Sequence, residues 1–263
     1  HSVTSNAFTV GNGTRQGGIL SPCLFNRYIY DLLRLVSRQK VGCNIGGVFA
    51  NVFAYADDIV LLAPSWQALQ ALLRVLENGI LAIDMSCNTR KTVCMVFSPR
   101  QKRKVVSPHF PPLRLFGTDL LYVDNFKYLG HIIDNKLNDD ADIQREIRNL
   151  FTRANILTRR FSLCSQSVKV ALFKSYCISL YGCALWRNHT VSSLSKLRSC
   201  YHRCVKTFFG YKRHDSMTAV LFKLSIASFN TLLHNSRCIL RSQTVNCSNS
   251  LLQACCNRAA AII

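Results

Sequence analysis

Hydrophobic residues are arranged in two different patterns along the chain, short apolar runs first and a helical period later. The change from one pattern to the other divides the sequence. At 52–55 and 59–63, short apolar runs have the length and composition that favour strands. Over 143–161, apolar residues recur every three or four positions, which is the period of an amphipathic helix. The pattern therefore predicts mixed helix and strand up to about residue 135 and almost only helix beyond it.

Local signals mark where several of these elements begin. Ser21-Pro22 is typical of a helix start, with Ser as the cap and Pro at the first helical position. Trp66 opens a second predicted helix, whose apolar residues fall on one face. A basic, proline-rich stretch at 98–112 predicts a loop. Strands are predicted at 92–97, 113–116 and 126–133, and further helices at about 166–186, 192–209, 217–224 and 227–242.

The charge distribution changes near the same place. The chain has 33 Lys and Arg against 13 Asp and Glu, a net charge of +20. Residues 1–98 contribute 8 bases and 5 acids, whereas residues 99–263 contribute 25 bases and 8 acids. This excess favours a polyanionic partner, nucleic acid before an anionic membrane surface. We therefore expect the chemistry in the first part and the polyanion-binding surface in the second.

The remaining composition narrows the class of protein. Apolar residues make up 49%, so a disordered chain is not expected. The nearest candidate for a bilayer span, 170–186, contains Lys174 and is too short, so no membrane insertion is expected. The absence of a signal peptide and the irregular spacing of 13 Cys favour reduced thiols in the nucleus or cytoplasm over a secreted protein. Because the first residue is His1 rather than Met, we expect a fragment.

Two adjacent acids, Asp57 and Asp58, interrupt the apolar stretch between the first two predicted strands. Burying two carboxylates among apolar residues is costly, so a hairpin tip is expected here. One interpretation is a solvated tip with no further role. The other is a metal platform, because Mg²⁺ prefers oxygen ligands and two such ions can stabilise the attacking and leaving oxygens of phosphoryl transfer.

The residues around this pair resemble a known family. The motif Tyr55-Ala56-Asp57-Asp58, followed by Ile-Val-Leu-Leu-Ala, is similar to the catalytic hairpin of reverse transcriptases. The similarity is to those of LINE-type retrotransposons, which lack long terminal repeats. This context favours the metal platform over the solvated tip.

Three further segments resemble motifs of the same family. Residues 14–26 are similar to the second palm motif, residues 88–92 to the lysine-bearing motif and residues 128–130 to the primer-grip turn. All four motifs occur in the family order at plausible spacing. The resemblance covers about residues 7–135 and extends more loosely into the helical region.

The resemblance implies roles for individual residues. Asp57 and Asp58 would be catalytic carboxylates and Mg²⁺ ligands, with Asp58 the weaker or indirect one. Lys91 would orient or protonate the leaving pyrophosphate; the alternative is an exposed lysine at a strand edge. The residues that would contact template, primer or incoming nucleotide are Gln16, Gly17, Tyr55, Tyr128, Leu129 and Gly130. For residues 128–130 the alternative is a β-turn with no further role. Glycine permits close backbone approach, which supports the assignment of Gly17 independently.

The resemblance also implies the fold. We expect an α+β chain in which residues 1–135 form a partial polymerase palm, an antiparallel sheet with packed helices. Residues 136–263 would form a mostly helical thumb and C-terminal extension that holds an RNA template and a DNA primer. The candidate contacts to the nucleic-acid backbone are Arg145, Arg148, Arg153, Arg159 and Arg160. The alternative is a solvated helix face, but a single acid, Asp215, follows Glu146, which favours phosphate contact.

One departure from the family pattern limits the expected activity. The family needs a further Asp on an earlier strand, and the only acid before Asp57 is Asp31, inside a predicted helix. We also expect that these residues do not include the family's fingers region. We therefore predict the C-terminal palm and thumb portion of an RNA-directed DNA polymerase, inactive alone, whose intact parent adds deoxynucleotides from their triphosphates with two Mg²⁺ ions. The alternatives are a basic nucleic-acid-binding remnant without catalysis and a decayed product that does not fold stably.

Overall fold

The computed structural model describes residues 13–45, 47–97 and 110–260, with side chains up to residue 256. The elements of the first part are α1 (Ser21–Ser37), β1 (Cys43–Ile45), β2 (Val48–Ala50), β3 (Val52–Tyr55), β4 (Asp58–Leu61), α2 (Trp66–Ala82), β5 (Val93–Cys94), β6 (Arg114–Leu115) and β7 (Thr118–Asp119). They are followed by β8 (Leu121–Tyr122), β9 (Asn125–Tyr128), β10 (His131–Asp134), α3 (Asp140–Phe161), α4 (Gln166–Tyr176), a 3-10 helix (Cys183–Leu185), α5 (Val191–Phe209), α6 (Met217–Leu224), α7 (Phe229–Val245) and α8 (Ser250–Ala260).

These elements form two compact units. Among the described residues, the first unit comprises 13–45, 47–93, 110–121 and 249–260, and the second comprises 94–97 and 122–248. Within the described part of the chain, no helix combines the length and the apolar character that a bilayer crossing requires.

The first unit packs two amphipathic helices against a β-hairpin. Helices α1 and α2 bury a shared set of aliphatic side chains, Leu32, Val36, Leu72, Leu76 and Ile80. The antiparallel hairpin of β3 and β4 packs against this cluster through Val52, Ile59 and Leu61. The apolar faces of the two helices and of the hairpin thus pack into one core, and this core covers one face of the hairpin.

The buried side chain of Asn51 fixes the start of the β3–β4 hairpin. Asn51 is 2% exposed, and its amide nitrogen lies within hydrogen-bonding distance of the carbonyls of Val36 (3.0 Å), Gln39 (3.1 Å) and Val41 (3.1 Å). Carbonyls at the end of a helix have no intrahelical partner. One side chain therefore satisfies the end of α1 and fastens the first strand of the hairpin to it.

The second unit is a helical assembly with one short hairpin. Helix α3 packs along α5, and α4, α6 and α7 complete a core around the fully buried rings of Phe173, Trp186, Tyr201 and Phe229. The antiparallel hairpin of β9 and β10 contacts α3. This hairpin therefore belongs to the same unit as the helices.

The predicted α+β class is confirmed, and the hairpin at 52–61 and the helix from Trp66 agree closely with the prediction. The helix predicted at 166–186 is wrong in its second half, because α4 ends at Tyr176 and Gly182 takes a left-handed backbone (φ 80°) in the loop that follows. The strand predicted at 126–133 is instead a hairpin. The functional division at residue 135 stays a prediction.

Two smaller expectations also changed. Ser21 is the first residue of α1 rather than its cap, and its hydroxyl donates to the carbonyl of Arg15 at 2.5 Å. The strand predicted at 92–97 is confined to β5, only two residues long. Most of the loop predicted at 98–112 lies outside the described residues.

Candidate functional site

The two candidate catalytic carboxylates lie at the tip of the β3–β4 hairpin. The strands pair so that Tyr55 faces Asp58, which leaves Ala56 and Asp57 as the turn residues. Ala56 has a left-handed backbone (φ 51°), a conformation that non-glycine residues seldom adopt and that clusters at functional sites. Asp57 thus lies at the tip and Asp58 begins β4, and both residues are exposed.

The core determines which side chains share the open face of this hairpin. Val52, Ile59 and Leu61 pack against α1 and α2, and side chains alternate between the two faces of a strand. Tyr55 therefore lies on the opposite face together with its cross-strand partner Asp58. Tyr55 is 65% exposed. The open face consequently presents an aromatic ring beside a carboxylate, next to the Asp-bearing turn.

The carboxylates of Asp57 and Asp58 suit Mg²⁺ in kind, because the ion prefers oxygen ligands. Their number is small for a dedicated site. Among the residues that the structure describes, no group of three or more His, Cys, Asp or Glu side chains is placed to hold a metal ion. Asp31, the acid that precedes them in the sequence, is exposed on α1. The hairpin therefore offers part of a ligand set and would bind the ion weakly alone.

Gln16 and Gly17 lie in an exposed turn directly before α1. The turn is closed by the backbone N–H of Gly18, which donates to the carbonyl of Arg15 (3.1 Å), and by the Ser21 hydroxyl, which donates to the same carbonyl. Gly17 has a φ of 76°, and a Cβ atom there would meet nothing within 4 Å. Backbone conformation rather than crowding thus explains this glycine, and its contact with template or nucleotide stays a prediction.

Lys91 lies in a tight turn before β5. Its backbone N–H donates to the main-chain carbonyl (3.1 Å) and the side-chain oxygen (3.2 Å) of Asn88, and the Thr92 hydroxyl donates to the same main-chain carbonyl (2.9 Å). This Asx-type turn explains the local sequence around Lys91. Lys91 is exposed, and its action on the leaving pyrophosphate stays a prediction.

The motif assigned to primer positioning forms the tip of the β9–β10 hairpin. Leu129 (φ 46°) and Gly130 (φ 81°) both have left-handed backbones, as a two-residue type I′ turn requires. The sequence did not indicate that Tyr181 contacts this turn, where its hydroxyl donates to the carbonyl of Leu129 at 2.7 Å. Because Tyr181 is 52 residues away in a stretch predicted as helix, no local signal points to it.

The five candidate phosphate-binding arginines of α3 differ in exposure, and one was predicted wrongly. Arg145 is 7% exposed, and its guanidinium pairs with Asp142 (2.6 Å) and Glu146 (3.1 Å). It is a structural ion-pair residue and not a phosphate contact, because its donors already face buried carboxylates. Arg153 is partly buried and pairs with Glu146 at 2.5 Å. Arg148, Arg159 and Arg160 are exposed and stay candidates.

The acids at the start of α3 bind a distant segment as well as complementing the helix dipole. Asp139 accepts the backbone N–H groups of Arg187 (2.7 Å) and Asn188 (2.8 Å), and Asp140 accepts that of Thr190 (2.9 Å). Slight burial works to raise the pKa of Asp140, but these and other hydrogen bonds lower it below its ordinary value. The segment before α5 is thereby fastened to α3.

Asp142 joins three parts of the second unit. Its fully buried carboxylate accepts the backbone N–H of Ile132 (2.9 Å), the indole N–H of Trp186 (2.8 Å) and the guanidinium of Arg145. His131 Nδ1 lies 2.9 Å from the same carboxylate. Burial works to raise the pKa of Asp142, but the adjacent His131 ring and the hydrogen bonds from Arg145, Ile132 and Trp186 outweigh it and hold the pKa well below its usual range.

Comparison with known proteins supports what the motifs indicated. Residues 2–133 match the family described as reverse transcriptase (RNA-dependent DNA polymerase). The retrovirus-related Pol polyprotein from the type-1 retrotransposable element R2 of Nasonia vitripennis is 33% identical over 144 residues, 51% of this chain and 14% of that protein. The RNA-directed DNA polymerase from the mobile element jockey of Drosophila funebris is 26% identical over 214 residues, 75% of this chain and 22% of that protein.

A further relative, the retrovirus-related Pol polyprotein from the type-2 retrotransposable element R2DM of Drosophila melanogaster, is 32% identical over 137 residues. That match covers 48% of this chain and 12% of the relative. The chain thus spans less than a quarter of the length of these relatives. The family match covers half of the chain, including the Asp57-Asp58 hairpin and the Leu129-Gly130 turn. The chain therefore belongs to the reverse transcriptase (RNA-dependent DNA polymerase) family, and the predicted resemblance to LINE-type members is confirmed.

Proposed function

We propose that this chain is the carboxylate-bearing and template–primer-binding part of an RNA-directed DNA polymerase of a LINE-type retrotransposon. Its partners are an RNA template, a DNA primer and deoxynucleoside triphosphates. The observation that carries the proposal is the exposed β3–β4 tip, where two adjacent carboxylates stand on a hairpin fastened to a hydrophobic core. The core on one face of the hairpin holds the two carboxylates in a fixed place, which an unanchored solvated loop would not do.

Within this function, Asp57 and Asp58 supply some of the oxygen ligands for the Mg²⁺ that the family uses. A bound ion would neutralise charge on the phosphates of an incoming nucleotide. The protein's own contribution is to present Asp57 at the turn and Asp58 on the open strand face beside Tyr55. Because the ligand set is small, we propose that the chain alone does not extend a primer.

A second candidate function is nucleic-acid binding without catalysis. The observation that favours it is the charge of the chain after Glu146, where Asp215 is the only acid among many Lys and Arg. A basic surface of this kind binds phosphates without regard to sequence or to the end of a strand. The two candidates differ in whether the recessed 3′ end of a primer is recognised.

The test uses the purified 263-residue chain with a fluorescent DNA primer annealed to an RNA template. We expect the hybrid with a recessed 3′ end to bind about fivefold more tightly than a blunt hybrid of equal length, a preference of roughly 1 kcal/mol. With Mg²⁺ and deoxynucleotides, we expect no extension of the primer. Equal affinity for the two hybrids would favour binding without catalysis, and efficient extension would refute the proposed inactivity of the chain. A chain without a cooperative unfolding transition would refute both.

A further inference from the structure

The turn at Leu129-Gly130 has a conformation that its own residues do not hold unaided. Leu129 adopts a left-handed backbone (φ 46°), which is unfavourable for a residue with a Cβ atom. Its side chain is 37% exposed, so apolar burial anchors it only in part. The pairing of β9 with β10 supports this turn from within the hairpin, and contacts from outside the hairpin can add to that support.

Tyr181 supplies two such contacts. Its hydroxyl donates to the carbonyl of Leu129 at 2.7 Å. Its ring lies against Gly130, where an added Cβ atom would come within 3.1 Å of the ring carbon Cε1. The ring thus leaves room for glycine at position 130 but crowds any residue with a Cβ atom. The hydroxyl fixes the direction of the peptide carbonyl of Leu129.

The backbone of Tyr181 is itself held in place by Arg145. The guanidinium of Arg145 donates to the carbonyl of Tyr181 at 3.1 Å and lies 5.8 Å from the centre of its ring. Arg145 is in turn paired with the buried carboxylate of Asp142. The next residue, Gly182, lies so close to His131 that an added Cβ atom would come within 2.7 Å of its Nδ1. The loop that carries Tyr181 is therefore packed tightly on β10.

These contacts form a closed circuit around the hairpin tip. It runs from Leu129 to Tyr181, through Arg145 to Asp142, and back to the hairpin, where Asp142 accepts the backbone N–H of Ile132 at 2.9 Å. Tyr181 is 55% exposed, whereas Arg145 and Asp142 of the same circuit are buried, so Tyr181 is an outer member of the circuit. Its removal would loosen the tip and leave the buried pair intact.

We infer that Tyr181 is a positioning residue for the primer: it sets the Leu129-Gly130 turn so that this turn can hold the 3′ end of the DNA primer. The inference rests on the proposed function, because it takes the turn to contact the primer. Tyr181 acts through the turn and not on the reacting atoms. Its loss should misplace the primer end while leaving most of the phosphate contacts, and hence most of the affinity, unchanged.

The experiment compares the full chain with Tyr181→Phe, using an RNA–DNA hybrid with 4-thiothymidine as the 3′ nucleotide of the primer. We expect photocrosslinking to the peptide containing 125–134 to fall about fivefold in Tyr181→Phe, with the affinity for the hybrid changed less than about twofold. A 4-thiothymidine placed several base pairs inside the duplex should crosslink equally in both proteins, because it reports the phosphate-bound duplex.

Two matched variants separate positioning from general stability. Tyr201→Phe removes a hydroxyl that donates to the carbonyl of Ala227 at 2.7 Å in the buried core, so it should lower the unfolding temperature without changing the 3′-end crosslink. Tyr176→Phe alters an exposed tyrosine and should change neither. If Tyr181→Phe crosslinks like the parent chain, or loses crosslinking only as far as Tyr201→Phe does, the inference is wrong. If the parent chain gives no crosslink to 125–134, the proposed primer contact itself is wrong.

Discussion

At the scale of single residues, Asp142 shows how tertiary contacts determine the role of an acid at the start of a helix. Its position in the first turn of α3 suits an interaction with the helix dipole. The structure buries the carboxylate completely and surrounds it with donors from Ile132, Arg145 and Trp186. Trp186 lies 44 residues along the chain, beyond the reach of any periodicity argument. Local spacing located the acid, and tertiary contacts determined its role.

Asp142→Asn should strongly destabilise the second unit. The change removes one of the two carboxylates that face the buried Arg145, and breaking a buried ion pair costs about 3–5 kcal/mol. Urea denaturation followed by circular dichroism would measure the loss. Asp119→Asn is the matched control, because Asp119 pairs with Arg114 on the exposed surface, where such a pair contributes about 0–1 kcal/mol. Similar losses in the two variants would contradict the buried role of Asp142.

The same carboxylate predicts how stability depends on pH. The folded-state pKa of Asp142 is lowered by its hydrogen-bond donors, so the folded protein binds the proton less readily than the unfolded chain. Its contribution is therefore fully present above the unfolded pKa, about 4, and is lost as the pH falls further towards the folded pKa. The free energy of unfolding should drop below about pH 4 in the parent chain and drop less in Asp142→Asn.

At the scale of elements, the two hairpins were predictable to different degrees. Apolar runs flanking two acids predicted the β3–β4 hairpin, because buried strands and a polar tip leave a clear pattern. The apolar pattern predicted the β9–β10 hairpin as one strand, because Leu129 is apolar like its neighbours, and only the resemblance to the primer-grip motif indicated a turn at 128–130. The end of α4 was missed for a similar reason. Residues 177–186 stay apolar because they line the core as a loop.

Helix α3 illustrates the same limit for a functional surface. Its basic residues were predicted as one phosphate-binding set, yet Arg145 faces buried acids while Arg148, Arg159 and Arg160 face solvent. Helical spacing gives the direction of each side chain relative to the others. It does not reveal that Asp142 and Glu146 are themselves buried and draw an arginine inward. Exposure therefore had to come from the structure.

Neutralising the exposed set, Arg148, Arg159 and Arg160, to Gln should weaken binding of an RNA–DNA hybrid and flatten its dependence on salt. Each lost phosphate contact reduces the slope of log K against log salt by about 0.7–0.9, so three contacts predict a decrease of about 2–3. Anisotropy titrations at several salt concentrations would measure the slope. The matched control neutralises three exposed arginines of the first unit, Arg27, Arg34 and Arg38. An equal decrease in the control would indicate a general effect of net charge rather than contacts from α3.

At the scale of the whole molecule, the net charge of +20 favours the binding of phosphates, whereas the candidate catalytic residues are two acids. The acids at the β3–β4 tip stand in a chain whose excess positive charge attracts phosphates, so Asp57 and Asp58 oppose that attraction locally. Composition predicted the polyanionic partner, and the motif predicted where the opposing charge lies. The sequence did not reveal which arginines face solvent or which contacts hold the hairpin tips. The structure was needed for both, because those contacts join residues far apart in the sequence.

The local repulsion between phosphates and the carboxylates of Asp57 and Asp58 predicts how a divalent ion changes the affinity for nucleic acid. Without Mg²⁺, Asp57→Asn with Asp58→Asn should bind an RNA–DNA hybrid more tightly than the parent chain, because two like charges near the phosphates are gone. Adding Mg²⁺ should narrow the difference, since the ion screens the carboxylates only in the parent chain. Asp31→Asn with Asp119→Asn is the control, because it removes two exposed acids from the same unit. Equal effects of Mg²⁺ on both double variants would show that the ion acts by general screening, and the β3–β4 tip would then lose its assignment as an ion-binding site.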